Sequence, residues 1–221
     1  MPEKIMAVVP AYNEERTIGA VVNDLIRHSI QVIVVDDGSD DNTYTRALAS
    51  GAVTIRHIVN LGQGAALSTG IKRALLMGGD IIVTFDADGQ CRASDIDNLV
   101  SPILSEKADI VLGSRFLKEN KIPFSRYLLL KLAILYTRFT TGLKLTDTHN
   151  GLRAFSRHVA EALSLTQPRM AHASEILKKI ALNKWSFVEA PTTILYTPYS
   201  LSKGQSGWHG FKILFDLWFR K

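Results

Sequence analysis

Residues 80 to 88 read Asp80-Ile81-Ile82-Val83-Thr84-Phe85-Asp86-Ala87-Asp88, an apolar run that ends in two carboxylates separated by one residue. The run from Ile81 to Phe85 predicts a buried strand of a parallel sheet. Asp86 and Asp88 would then emerge together at the carboxyl edge of the sheet, where open α/β sheets bind their ligands. Two hard oxygen ligands there suit a divalent cation that holds a phosphorylated substrate. The alternative is that both are turn and cap residues before the following helix.

The chain on both sides of this run predicts an α/β fold. In the first 115 residues, strand-like and helix-like segments alternate, as in a doubly wound, mostly parallel sheet with helices on both faces. The predicted strands are Ile5 to Val9, Val32 to Val35, Val53 to Ile58, Ile81 to Phe85 and Ile110 to Leu112. The predicted helices are Thr17 to Ser29, Asn42 to Ser50, Ala65 to Met77 and Asp95 to Ser105, the last with a capping box of Ser94 and Asp97.

After Arg115 the pattern changes. We predict helices over Phe124 to Thr141, Arg157 to Leu163 and Ala173 to Leu182, and strands over Leu152 to Phe155, Phe187 to Ala190 and Ile194 to Tyr196. We therefore expect a single domain over residues 1–221. Residues 1–115 would form its nucleotide-binding half, and residues 116–221 would shape the site of the second substrate.

Composition excludes several classes of protein. The 221 residues are 46% hydrophobic and 21% charged, which fits one folded domain rather than a disordered chain. The net charge of +5 favours an anionic partner, although an ordinarily basic soluble protein has the same balance. Cys91 is the single cysteine and cannot form an internal disulfide, and the amino terminus lacks the features of a signal peptide, so we expect a cytoplasmic protein.

Two further strand exits would lie at the same sheet edge as Asp86. The first strand is followed by Pro10-Ala11-Tyr12-Asn13-Glu14-Glu15 and the second by Asp36-Asp37-Gly38-Ser39. Tyr12 offers a ring face to a base, and Asp37 offers an acceptor to a base or ribose donor. Each segment taken alone is also typical of a turn with a helix cap. Together with the acidic pair, they predict a nucleotide site.

The segment Asn60-Leu61-Gly62-Gln63-Gly64-Ala65-Ala66 follows the third strand and opens a helix. Its amides, including that of Gly64, could meet a phosphate, or its glycines could simply allow close helix packing. It is not the G-x-G-x-x-G of a dehydrogenase, and the chain contains no P-loop sequence.

These segments, in this order, resemble the family 2 glycosyltransferases of GT-A fold. The resemblance continues through Asp86-Ala87-Asp88-Gly89-Gln90, Gly113-Ser114-Arg115 and Asp147-Thr148-His149-Asn150-Gly151-Leu152-Arg153, and covers nearly the whole chain. The form of the last three segments is most similar to the dolichyl- or polyprenyl-phosphate sugar synthases. The resemblance implies an inverting, metal-dependent transfer of a sugar from a UDP- or GDP-linked donor to a lipid phosphate.

The resemblance also implies roles for individual residues. Asp86 and Asp88 would bind Mg²⁺ or Mn²⁺, and Arg115 and Arg126 would face the acceptor phosphate, although Arg115 could instead pair with a carboxylate such as Asp86. Lys203, in the segment Lys203-Gly204-Gln205-Ser206-Gly207, would close over the donor diphosphate, or lie in a solvated tail loop. The donor would contact Pro10, Tyr12, Glu14, Asp37, Gly64, Asp86 and Gln90.

The acceptor decides whether the enzyme needs a general base. A lipid phosphate is already anionic and attacks unaided, whereas a sugar hydroxyl must lose a proton to a positioned base. Asp147 is the best candidate for that base, ahead of His149, His172 and Glu175. A saccharide acceptor with Asp147 as base therefore remains an alternative, and so does a non-catalytic nucleotide-binding protein.

Two segments predict contact with a membrane surface. The helix Phe124 to Thr141 and the carboxyl-terminal stretch Trp208 to Lys221 both mix apolar and basic residues. Either could instead pack on the sheet or on a second subunit of a homo-oligomer. No run is apolar enough to span a bilayer, so we expect peripheral binding at the cytoplasmic face. The basic residues are not interleaved with a stacking platform, which argues against a nucleic-acid partner.

Overall fold

The computed structural model describes residues 3–118, 122, 124–148, 150–167 and 171–195, with the side chains of residues 125 and 126 left out. The side chain of Arg126, all of His149 and Lys203, Tyr196 and the stretch 208–221 therefore lie outside the described residues.

Seven strands and seven α-helices make up the described fold. The strands are β1 (Ile5–Ala11), β2 (Gln31–Asp36), β3 (Val53–Arg56), β4 (Ile81–Thr84), β5 (Ile110–Ser114), β6 (Arg153–Ser156) and β7 (Phe187–Pro191). The helices are α1 (Ile18–Arg27), α2 (Thr43–Ala49), α3 (Gln63–Leu76), α4 (Ile96–Leu104), α5 (Phe124–Thr141), α6 (Arg157–Ala162) and α7 (Ala171–Asn183).

One sheet contains all seven strands in the order β3-β2-β1-β4-β6-β5-β7. Its pairs are parallel except those of β6, which runs antiparallel to both β4 and β5. The prediction of a mostly parallel sheet is confirmed. The reversed strand β6 was not foreseen, and because it begins where its parallel neighbours end, the loop before it lies at their carboxyl edge.

Alternating side chains of the strands form two cores, one on each face of the sheet. In β1, Ala7 and Val9 join the core that packs against α1, α2 and α4. Met6 and Val8 join the core that packs against α3, α6 and α7. All four side chains are 0% exposed, as the central position of β1 requires. Helices on both faces are therefore confirmed.

The sheet opens between β1 and β4 at its carboxyl edge. The ladder between them ends at Val8 and Thr84, while β1 continues beside β2 as far as Ala11. Pro10 has no amide proton to donate, and it lies in the part of β1 that has already separated from β4.

Three details of the predicted elements were wrong. β3 ends at Arg56 rather than Ile58. α4 begins at Ile96 after the 3-10 turn Ala93–Asp95, without a side-chain cap, so Ser94 and Asp97 form no capping box. Ile194 and Leu195 lie outside any strand, because the amide of Leu195 donates to the Gln90 carbonyl (2.9 Å) rather than to a ladder.

Across the described ranges, no helix is long and apolar enough to cross a bilayer.

Candidate functional site

The exit of β4 positions Asp86, Asp88 and Gln90 beside the opening in the sheet. All three side chains are half-buried. Gln90 donates from its amide to Asp88 Oδ1 (3.0 Å) and from Nε2 to Asp88 Oδ2 (2.6 Å), and this turn is tightened by Gly89 at φ 73°. Gln90 therefore orients the Asp88 carboxylate.

Gly151, in the loop before β6, lies directly against the Asp86 carboxylate. A Cβ at this position would lie 2.6 Å from Asp86 Cγ and closer still to both carboxylate oxygens. Carbon atoms do not approach each other so closely. Glycine is therefore required here because any side chain would displace the Asp86 carboxylate.

The segment that opens α3 also reaches Asp86. Gln63 Nε2 donates a long hydrogen bond to Asp86 Oδ1 (3.4 Å), and the preceding Gly62 turns the chain at φ 94°. Gly64 instead faces the Gln167 carbonyl, and a Cβ at this position would lie 3.1 Å from His172 Cβ. Gly64 therefore allows close packing, which is one of the two roles that the sequence left open for it. The side chain that reaches the acidic pair is that of Gln63.

The carboxyl group of Asp86 is difficult to ionise. Burial and the nearby charge of Asp88 raise its pKa from the ordinary 3.8 to about 6. The positive charges of Arg153 and Arg115 and the hydrogen bond from Gln63 oppose this rise without cancelling it. The exit of β4 therefore holds two acidic groups whose negative charges repel each other.

Asp86 and Asp88 fit a divalent cation, but as a minimal ligand set. Their oxygens are of the type that Mg²⁺ and Mn²⁺ prefer, and a cation would relieve the repulsion that, together with the larger effect of burial, raises the Asp86 pKa. Within the described part of the chain, no group of three or more His, Cys, Asp or Glu side chains could enclose a metal ion. A cation here would need substrate or water oxygens to complete its coordination.

Arg115 and Asp147 form a buried ion pair. Arg115 Nε donates to Asp147 Oδ2 at 2.6 Å, and the Arg115 amide donates to the same oxygen at 3.1 Å. Asp147 Oδ1 accepts the amide of Thr148 (2.8 Å), so both of its oxygens are engaged. Arg115 and Asp147 are only 5% and 3% exposed. The sequence anticipated a carboxylate partner for Arg115, and the structure identifies Asp147 rather than Asp86.

Arg153, at the start of β6, was not assigned a role from the sequence, although it ends the segment that begins at Asp147. It is 4% exposed, and its Nε donates to the Asn150 carbonyl (3.1 Å). Burial lowers its pKa to about 10, while the charges of Asp86 and Asp147 act in the opposite direction. Arg153 is therefore a buried positive charge that partly balances the acidic groups of the site.

The exits of β1 and β2 lie along the same edge. Tyr12 is 44% exposed, which leaves its ring accessible, while Pro10 is buried and Glu14 is half-buried. The Asn13 amide donates to Ser39 Oγ (2.9 Å), and the Asp40 amide donates to Asn13 Oδ1 (3.0 Å). These bonds fasten the two exit loops to each other.

Asp37 is buried and holds the loop after β3. Its Oδ1 accepts the Leu61 amide (3.0 Å) and its Oδ2 the Gly62 amide (2.7 Å). His57 Nδ1 lies 2.7 Å from Asp37 Oδ1, and His57 Nε2 lies 3.0 Å from Thr69 Oγ1 of α3. Sequence reasoning missed His57, because only the folded structure brings β2, β3 and α3 together at this point.

The two other general-base candidates that the structure describes, His172 and Glu175, belong to α7. Glu175 accepts the amides of Thr166 (3.0 Å) and Gln167 (2.9 Å) and the Thr166 hydroxyl (2.9 Å), so it caps the loop before α7. Those hydrogen bonds and Lys179 lower the pKa of Glu175 against the opposing effect of burial. His172 is 5% exposed, within the packing between α3 and α7.

Comparison with known proteins assigns this arrangement to a family. The family model described as "Glycosyl transferase family 2" matches residues 6–164. The chain is 38% identical over 237 residues to the UDP-N-acetylglucosamine–dolichyl-phosphate N-acetylglucosaminyltransferase of Methanococcus voltae, covering 96% of this chain and 94% of that protein. It is 28% identical over 216 residues to the polyprenol monophosphomannose synthase of Mycolicibacterium smegmatis, covering 91% and 81% respectively.

Among solved structures, glucosyl-3-phosphoglycerate synthase of Mycobacterium tuberculosis, crystallised with Mn²⁺, uridine diphosphate and phosphoglyceric acid, has a TM-score of 0.70. The identity is 23%, with coverage of 97% of this chain and 78% of that one. This likeness bears on the fold alone, and the fold is GT-A, as the sequence predicted.

We predict that Gly151→Ala lowers the free energy of unfolding by about 1–3 kcal/mol, the usual cost of overpacking, because the new methyl group must displace the Asp86 carboxylate. Thermal unfolding would measure the change. The destabilisation should largely disappear when Asp86→Ala is combined with it. Gly19→Ala is the matched control, since its Cβ would meet only the movable Ser50 hydroxyl at 3.3 Å. If Gly151→Ala lowers the free energy of unfolding as much in the Asp86→Ala background as in the original protein, the proposed contact is contradicted.

We also predict that Asp86→Asn raises the melting temperature at pH 7.5 in the presence of a chelator. Between pH 3.8 and about 6 the folded chain keeps a proton that the unfolded chain has released, so the contribution of Asp86 to stability falls as the pH rises. Asparagine does not ionise and avoids this cost. The gain should therefore be complete above pH 6 and vanish near pH 4. The exposed Asp97→Asn is the control, and an equal gain at both pH values would refute the explanation.

Proposed function

The chain belongs to glycosyl transferase family 2, and we propose that it transfers a sugar from a nucleotide sugar to a polyprenyl or dolichyl phosphate. The observation that supports this acceptor most strongly is the hydrogen bonding of the Asp147 carboxylate. Both of its oxygens are engaged by Arg115 and Thr148, so the best candidate for a general base is already committed. A phosphate acceptor needs no such base, because it is an anionic nucleophile at neutral pH. The names of the relatives from Methanococcus voltae and Mycolicibacterium smegmatis also specify a dolichyl phosphate and a polyprenol.

On the donor side, we assign Asp86 and Asp88 to a bound Mg²⁺ or Mn²⁺ and Gln90 to the orientation of Asp88. A divalent cation in that position would neutralise charge that develops on the departing nucleoside diphosphate. Exposed Tyr12 offers its ring to the base, and Pro10, Glu14 and Asp37 shape the surrounding wall. Asp37 acts mainly by fixing the Leu61–Gly62 turn, since its oxygens already accept two amides.

On the acceptor side, we assign Arg115 to the phosphate of the acceptor. Arg115 directly follows β5, which is separated from β4 by β6 alone, and its positive charge acts to lower the pKa of Asp86. Its guanidinium is suited to phosphate, because its planar donors match two oxygens at once. Three further assignments remain proposals that rest on the family resemblance. Arg126 would bind the acceptor phosphate, and Lys203 and Gly64 would contact the donor diphosphate.

The proposed reaction can be tested with purified protein, a short-chain polyprenyl phosphate in detergent, Mn²⁺ and a panel of nucleotide sugars. UDP-N-acetylglucosamine is the first donor to test, because the relative from Methanococcus voltae is named for it. We expect a glycolipid product by mass spectrometry and a loss of about 100-fold or more in turnover for Asp88→Asn, which removes a metal ligand.

Two outcomes would overturn the proposal. Tight nucleotide binding without product from any donor would favour a non-catalytic binding protein. Transfer to a saccharide hydroxyl that Asp147→Asn abolishes, with donor binding intact, would favour the saccharide acceptor.

We further propose that α5 docks the enzyme on a membrane surface, where a lipid phosphate is found. Five apolar side chains of α5 are 45–90% exposed and recur at intervals of three or four residues: Phe124, Leu128, Leu132, Leu135 and Phe139. At 100° per residue they share one face about 80° wide. The opposite face, with Leu130, Ala133 and Ile134, is buried against the protein.

The charges of α5 favour a lipid bilayer as the partner of this face. The helix has three basic residues and no acidic one. Anionic headgroups attract such a helix, whereas two copies of it would repel each other. Lys131 extends over the Phe116 ring (4.5 Å from Nζ to the centroid) and Arg138 donates to the Leu145 carbonyl (2.9 Å), so the helix is fixed to the chain on either side of it.

We predict that Leu128→Glu with Leu135→Glu weakens binding to vesicles of phosphatidylglycerol and phosphatidylcholine by about 30-fold, taking about 1 kcal/mol for each charge near the surface. Co-sedimentation with the vesicles would measure the binding of each variant. Leu76→Glu with Leu182→Glu is the matched control, because those leucines are 81% and 80% exposed on other helices. Equal loss in both variants would refute the role of α5. Conversion of a dimer to a monomer by the α5 variant would instead assign the face to a second copy.

A further inference from the structure

Glu189, in the last strand β7, is hydrogen-bonded to the loop that carries Asp147. Its Oε1 accepts the Thr146 amide (2.8 Å), the Thr146 hydroxyl (2.9 Å) and the Asp147 amide (3.1 Å). Its Oε2 accepts the Thr146 amide as well (2.9 Å). Glu189 is paired in register with Leu112 of β5, so it lies on the strand next to the one that ends at Ser114, directly before Arg115.

A chain of hydrogen bonds connects Glu189 to the guanidinium of Arg115. The loop held by Glu189 places the Asp147 carboxylate, and Asp147 Oδ2 accepts both the amide and Nε of Arg115. A second connection runs through Thr146, whose hydroxyl lies 2.7 Å from Ser114 Oγ, adjacent to Arg115. Glu189 thus holds both the partner of Arg115 and the strand end from which Arg115 projects.

The carboxylate of Glu189 suits this task better than a neutral side chain would. An ionised carboxylate only accepts hydrogen bonds, and the three groups that face Glu189 are two amides and a hydroxyl, all of which donate. A glutamine in the same place would direct an NH₂ group at one of these donors. The loop would then have to shift, and Asp147 would shift with it.

We infer that Glu189 is a positioning residue for phosphate binding: it fixes the Thr146–Asp147 loop so that Asp147 orients the Arg115 guanidinium toward the acceptor phosphate. This inference rests on the proposed function, which gives Arg115 its ligand. It adds a residue that lies outside every segment of the family resemblance and acts through Arg115.

The test compares Glu189→Gln, Arg115→Ala and the double variant in the transfer assay with a short-chain polyprenyl phosphate and UDP-N-acetylglucosamine. We expect Glu189→Gln to raise the KM for the lipid phosphate about tenfold and to leave the KM for the donor within about twofold. In the Arg115→Ala background the same substitution should change the acceptor KM by less than about twofold, because its effect passes through Arg115.

Glu175→Gln is the matched control, because Glu175 caps another loop with the same kinds of bond, to two amides and a hydroxyl. It should lower the melting temperature to a similar extent without altering the acceptor KM. If Glu189→Gln does not fold, Thr146→Val offers a milder break, since it removes only the hydroxyl that bonds to Glu189 and Ser114.

The outcomes separate this inference from the proposed function. Equal increases in both KM values, or an undiminished effect in the Arg115→Ala background, would overturn the positioning role and leave the reaction intact. An acceptor KM that Arg115→Ala itself leaves unchanged would overturn the role of Arg115 in the proposed function.

Discussion

The repulsion between two carboxylates at the end of β4 is the constraint on which the rest of this site depends. Asp86 and Asp88 are half-buried side by side, and burial together with the charge of Asp88 raises the pKa of Asp86 to about 6. A fold retains such an arrangement only if other groups limit its cost. Arg115, directly after β5, and Arg153, the first residue of β6, are both buried and provide positive charge. The acidic pair and the two arginines therefore form one electrostatic unit.

The reversed strand β6 brings this unit together. It lies between β4 and β5 and runs against both, so its first residue, Arg153, pairs with Thr84 and Leu112 near the ends of those strands. The loop before it contributes Asn150, which positions Arg153, and Gly151, which leaves space for the Asp86 carboxylate. A parallel strand in the same place would have put this loop at the opposite edge of the sheet.

The sequence predicted the fold well where the signal is local. The apolar runs correctly predicted β1, β2, β4 and β5, and the run of β4 also predicted that Asp86 and Asp88 follow its end. Such signals lie in a few consecutive residues, so they can be recognised from the sequence alone. It did not predict the orientation of β6, nor the roles of His57 and Glu189. His57 meets Asp37 across 20 positions of the chain, and Glu189 meets Thr146 across 43. Such contacts follow from the order of strands in the sheet, which periodicity does not encode.

The carboxylates of this edge divide into two kinds by the hydrogen-bond donors that they receive. Asp37, Asp147 and Glu189 each accept at least one backbone amide at 2.7–3.1 Å, and each thereby fixes a loop. Asp86 receives only the long hydrogen bond from Gln63 among the residues that the structure describes. Hydrogen bonds from amides stabilise the ionised form of a carboxylate, and the hydrogen bond from Gln63 does not offset the effect of burial on the pKa of Asp86. The protein therefore satisfies the carboxylates that hold its loops and leaves Asp86 under-compensated, so a divalent cation would gain most at Asp86.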